Sequence, residues 1–273
     1  MKELLLVLFI LLRQEFNLGQ ALPFSEIDQY FKKLNSPVQG CLVDTQFLIA
    51  VTDELHPFYE DAEFLFEKLA EYRIPIFTTV TTRSEFVDIR RRFIITETLM
   101  GMLSASSKWR ISVATQKVLR AQKTWIDAQA ASDALPLLTD SRIKDCKESF
   151  MPRTQSGQIG WVQLCNEYLS GKLFESWSIL SEELNLNYID LRGEELSLYM
   201  NEKVHWHKMY SISEQTCLSS NDSMLVNVLN CSKFPFIVSA DFDIAYSVLA
   251  SNSEKAVLIP DNLHYKKIKG LRF

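Results

Sequence analysis

An α/β protein built on a mainly parallel sheet is the fold class that this sequence predicts, and three observations predict it. Short apolar runs stop at an acidic or hydroxyl residue and lead straight into helix-forming residues, as at Leu42-Val43-Asp44, Ile76-Phe77-Thr78 and Phe236-Ile237-Val238. Helical patterns separate those runs, which is the order expected of βαβ units. Between residues 100 and 183 the strand pattern lapses and helical periodicity alone remains, so a large helical insert interrupts the sheet.

The elements follow in chain order. Residues 1–37 read as an N-terminal helical extension, in which Ile27, Tyr30, Phe31 and Leu34 form one apolar stripe before the break at Ser36-Pro37. The first strand lies near residues 40–44. After His56-Pro57, Phe58, Ala62, Leu65 and Leu69 share a helical face, with Glu60 and Asp61 at its start and Lys68 near its end, matching the helix dipole. The run Ile74 to Val80 is the next strand. From Thr82 a long helix carries Phe86, Ile89, Phe93 and Leu99 inward and shows a basic band at Arg90, Arg91 and Arg92.

Within the insert, Ser104 to Ser107 break that helix, residues 111–131 form another, Pro136, Pro152 and Gly157 mark loops, and residues 159–183 are helical. The α/β pattern resumes with a strand at residues 186–190. Residues 191–218 carry His205, Trp206 and His207 and resist assignment. Helix 222–230, strand 234–239, helix 242–250 and strand 256–259 follow, then a tail with Lys266, Lys267, Lys269 and Arg272. The domain division expected is therefore 1–37, 38–99 with 184–273, and the insert 100–183.

Composition narrows the function classes. With 273 residues and 47% hydrophobic content the chain can bury a large core, and disorder is excluded. A net charge of −5 argues against a protein that coats duplex DNA, so any nucleic-acid contact must be local. Five cysteines without metal-ligand spacing read as reduced core thiols rather than a disulfide framework. Leu4 to Leu12 form an apolar run too short for the roughly 20 residues of a membrane-spanning helix. Its charged flanks favour a segment retained in a cytoplasmic protein, with a signal peptide over residues 1–21 as the alternative.

Four acids stand where strands give way to helices: Asp44, Glu85, Asp222 and Asp241, with Asp243 beside the last. Each has a structural reading. Thr82-x-x-Glu85 fits a capping box, Asp222 suits a first helical turn, and Asp44 and Asp241 suit N-caps. Jointly they would meet at the carboxyl edge of one parallel sheet, where α/β proteins place their ligands. Carboxylates gathered there repel one another unless a hard cation such as Mg²⁺ or Mn²⁺ neutralises them.

The phrases Leu42-Val43-Asp44-Thr45-Gln46-Phe47-Leu48-Ile49, Thr81-Thr82-Arg83-Ser84-Glu85-Phe86, Ser220-Asn221-Asp222-Ser223-Met224 and Ser239-Ala240-Asp241-Phe242-Asp243 resemble, in order, the acidic motifs of the PIN domain. That resemblance covers about residues 38–100 and 185–262. It implies a three-layer α/β/α sandwich and a metal-dependent endoribonuclease related to VapC-type toxin ribonucleases. Asp44, Glu85, Asp222 and Asp241 would be catalytic and, with Asp243, hold Mg²⁺ or Mn²⁺ to activate water, while Thr45 would support the site. Arg83, Arg90, Arg91 and Arg92 are candidate RNA contacts beside it. The partners implied are an RNA substrate, a protein bound through the insert, and a second copy in a homodimer, with no membrane span. A reading from another class stays open: a non-catalytic PIN-like scaffold whose acids only cap helices and which binds RNA or a protein. His205 and His207 lack the further ligands of a zinc site, and no Ser-His-Asp or phosphate-loop motif is present.

Overall fold

The computed structural model describes residues 19–34, 38–54, 56–104, 108–131, 136–190, 196–251 and 253–269. The readings of Leu4 to Leu12, of the break at Ser36-Pro37, of most of Ser104 to Ser107 and of Arg272 lie outside them. The architecture is a three-layer α/β/α sandwich on a six-stranded sheet. The strands are β1 (Gln20–Pro23), β2 (Cys41–Val43), β3 (Ile76–Thr78), β4 (Asn187–Tyr188), β5 (Phe236–Val238) and β6 (Ala256–Ile259). Their order is β1-β6-β5-β2-β3-β4, and each neighbouring pair is parallel.

The central strands are short and fully buried, as expected of parallel strands covered on both faces. Leu42 pairs with Phe77 on one side and Ile237 on the other. These side chains project to the same face, where they meet Leu225, Val228 and Leu229 of the helix Ser220–Cys231 and Phe234 beyond it. Period-two alternation sends Phe236 to the opposite face. There Tyr30 and Phe31, from the helix Ile27–Lys33, pack on its ring at 5.8 and 5.7 Å. The predicted stripe at Ile27, Tyr30 and Phe31 is thus helical. Ahead of it, Gln20 to Pro23 carry no strand pattern, yet they pair in register with Ala256 to Ile259 and form one sheet edge.

The second crossover helix, Tyr59–Glu71, buries Ala62, Leu65 and Leu69, with Glu60 and Asp61 in its first turn and Lys68 in its last. The following long helix spans Val80–Gly101 and begins before Thr82. The earlier start has a local cause: the Thr79 hydroxyl accepts from the Thr82 backbone N–H at 3.4 Å, so Thr79 acts as the cap. The region left unassigned contains the helix Trp206–Thr216, which packs against Ser220–Cys231.

By contacts the chain divides into two compact units, with Phe86–Ile179 as the second. That unit contains the helices Val113–Ala130, Asp140–Ser149 and Trp161–Leu169 around a core that includes Leu119, Leu138, Cys146 and Leu164. The single helix expected over 159–183 is two, Trp161–Leu169 and Lys172–Glu183. They break at Gly171, whose φ of 78° only glycine adopts without strain. Phe93, predicted to face inward, is half-buried and lies under the Arg90 guanidinium. Among the described residues no helix is long and apolar enough to cross a membrane.

Candidate functional site

Of the acids singled out in the sequence, Asp44 and Asp241 cap helices just past β2 and β5, Asp222 and Asp243 lie in first helical turns, and Glu85 lies in the second turn of Val80–Gly101 rather than in a capping box at its start. Asp44 follows β2, and its backbone N–H donates to the Val238 carbonyl at 3.1 Å. That bond places it beside β5, just before the helix Thr45–Thr52. One carboxylate oxygen caps the helix by accepting from the Phe47 N–H at 2.7 Å, and the other accepts from the Ser239 hydroxyl. Ser239 also accepts from the Asp241 N–H at 2.9 Å, so one hydroxyl links two of the predicted acids. Asp241 in turn caps the helix Phe242–Ala250, accepting from the Asp243 N–H at 2.7 Å.

Glu85 takes its bond from elsewhere. The Thr45 hydroxyl donates to Glu85 at 2.9 Å and also lies 3.3 Å from the Thr82 carbonyl, tying the start of one helix to another. Thr45 thus touches the second acidic motif directly. Asp222 sits in the first turn of Ser220–Cys231, but Ser219 is the cap: it accepts from the Asp222 N–H at 3.2 Å and donates to the Asp222 carboxylate at 2.7 Å.

Electrostatics show that these groups are neighbours. Asp44 is 4% exposed, and its carboxyl is pushed from 3.8 to about 8. Burial is the main cause; the bonds from Ser239 and Phe47 oppose it, and the charges of Asp241 and Glu85 add to it. The Asp241 carboxyl is also raised, first by burial and then by Asp243 and Asp222, against the bonds from the Asp243 and Ile244 N–H groups. The acids feel one another at the sheet edge.

They do not form a metal centre. Among the described residues, no group of three or more His, Cys, Asp or Glu side chains is placed to hold a metal ion. Mg²⁺ demands oxygens at about 2.0–2.1 Å in near-octahedral order, which requires carboxylates that converge on one point. Here the carboxylates of Asp44 and Asp241 turn toward backbone amides, and those of Asp222 and Glu85 accept from Ser219 and Thr45. The expectation of Mg²⁺ or Mn²⁺ bound by Asp44, Glu85, Asp222, Asp241 and Asp243 is therefore corrected. With it fall the metal-dependent endoribonuclease mechanism and the toxin-ribonuclease reading built on that metal. His205 and His207 stack on each other at 5.4 Å and belong to no metal-binding group among the described residues.

The basic band is largely engaged. The Arg91 guanidinium pairs with Asp88 and Asp140, Arg92 lies 3.3 Å from Asp88, and Arg90 sits 5.7 Å above the Phe93 ring. Arg83 is exposed near the start of its helix. Cys41, Cys146 and Cys231 are buried free thiols, Cys165 is half-buried and Cys217 is exposed.

Sequence reasoning missed Ser239, Ser219 and Thr79. The signal was present: a hydroxyl residue two or three positions ahead of an amide at a helix start is a capping pattern. Scans of protein-family models, curated proteins and solved structures give no match to this chain.

Proposed function

We propose that this chain is a non-catalytic, PIN-like α/β/α scaffold whose acidic edge serves the architecture and whose surface binds a protein. The observation that carries this reading is the use made of the acids: amides and hydroxyls occupy them, and no metal-holding group exists among the described residues. Protein is favoured over RNA on charge. The chain carries −5 overall, and Arg91 is neutralised within its own unit. RNA binding draws much of its strength from unpaired cations against phosphate. An exposed aromatic pair is a better anchor for a protein surface. Trp206 and Tyr210 lie on the helix Trp206–Thr216, 63% and 55% exposed, with rings 6.2 Å apart, and Trp and Tyr dominate the energetics of protein interfaces.

Fluorescence anisotropy with a labelled single-stranded RNA tests the choice. At near-physiological salt, no saturable binding is expected, and the RNA should remain intact with or without divalent metal. Saturable binding, or cleavage that excess chelator stops, would overturn the proposal.

A further inference from the structure

The helical unit Phe86–Ile179 contains a cavity of about 300 Å³ that the scaffold reading does not use. Ile95, Ile143, Trp161 and Leu169 form its apolar part, and Arg91, Asp140, Lys144 and Lys147 its charged part. The Trp161 ring is braced edge-on against Phe150 at 5.6 Å, which fixes one flat wall. Arg91, Lys144 and Lys147 supply its positive charge. The three differ in an informative way: Arg91 is neutralised by Asp88 and Asp140 and Lys144 lies 4.0 Å from Glu148, whereas Lys147 has no ion-pair partner among the described residues. The Cys165 thiol also lines the cavity; burial pushes its pKa up, and the charges of Lys147 and Arg91 oppose that only in part. A cation without a partner beside an apolar recess is a complementary arrangement for a ligand with an apolar body and a negative head.

We propose that this cavity binds a small amphipathic anion: a flat aromatic body packed against Trp161, carrying one carboxylate, sulfonate or phosphate group beside Lys147. The volume lies at the small end of ligand sites, which run from about 300 to 1,000 Å³, so a one- or two-ring body fits and a lipid tail does not. Such a ligand would cover Cys165, and the inference stands independently of the scaffold's protein partner.

Cys165 provides the readout. The full-length protein is treated with iodoacetamide in the presence and absence of naphthalene-2-sulfonate, and alkylation is followed by peptide mass spectrometry. The exposed Cys217 serves as the internal reference. The probe is expected to slow alkylation of Cys165 several-fold while leaving Cys217 unchanged. Lys147→Gln, at an exposed position outside the core, is expected to weaken that protection about tenfold in probe concentration, the scale of one charge-assisted contact. The uncharged analogue naphthalene-2-sulfonamide should protect poorly in both proteins. Unprotected Cys165 at saturating probe, protection that Lys147→Gln leaves intact, or equal protection by the uncharged analogue would each overturn the proposal.

Discussion

Asp44→Asn is expected to stabilise the protein, and by more as the pH rises. The folded carboxyl holds its proton to about pH 8, whereas an unfolded Asp releases it near the ordinary 3.8. Below the lower value both states are protonated, and burial of this group carries no ionisation penalty. As pH rises through the window from about 4 to about 8, the unfolded state gains charge that the folded state cannot, so stability falls by up to about 1.4 kcal/mol per pH unit from this residue. Above about 8 the folded carboxyl ionises too and the decline ends. Asparagine does not titrate, yet it caps a helix about as well as Asp, so the bond from the Phe47 N–H survives. Urea unfolding across that window should show a pH slope in the wild type that is smaller in the variant. A wild-type slope that is flat, or that rises with pH, would mean that Asp44 is ionised in the folded protein.

Phe234→Ala should have a destabilising effect of comparable size. Phe234 is fully buried, stacks on Phe77 at 4.6 Å and lies 6.2 Å from the ring of Tyr199. Removing the ring leaves a cavity against β3 that the surrounding strands and helices can only partly close, at a cost of about 3–5 kcal/mol. The backbone around it is also constrained, because the Phe234 carbonyl accepts from the half-buried Lys255 ammonium at 2.6 Å. Phe234→Leu keeps most of the volume and should cost about 1.5 kcal/mol or less. Chemical denaturation of both variants measures the contrast. Equal losses would show that volume at this position does not govern stability.

The contrast between Phe234 and Asp44 also shows what the sequence makes legible. Buried apolar runs such as Leu42-Val43 and Phe236-Ile237-Val238 reveal strands because parallel strands covered on both faces need no alternation. Helix starts were legible because an acid or hydroxyl at the junction has few other local uses. Gln20 to Pro23 were not legible as β1, since their strand state comes from pairing with Ala256 to Ile259, far away in sequence. Nor could sequence separate a cap from a ligand. Both uses require a carboxylate at the end of a strand, and only the direction in which its oxygens turn distinguishes them. Asp44 illustrates the point, because its burial and the bond from Ser239 depend on β5 lying beside β2.

Isothermal titration of Mn²⁺ into the full-length protein addresses the central claim most directly, with Asp241→Asn run in parallel. Asp241 is half-buried and caps its helix through the Asp243 N–H, a role that asparagine can fill. The scaffold account expects only weak, non-saturating heats, identical in the two proteins, because the carboxylates do not converge on a common point. A saturable isotherm of one or two sites in the wild type, abolished by Asp241→Asn, would contradict it and restore a metal centre to the acidic edge.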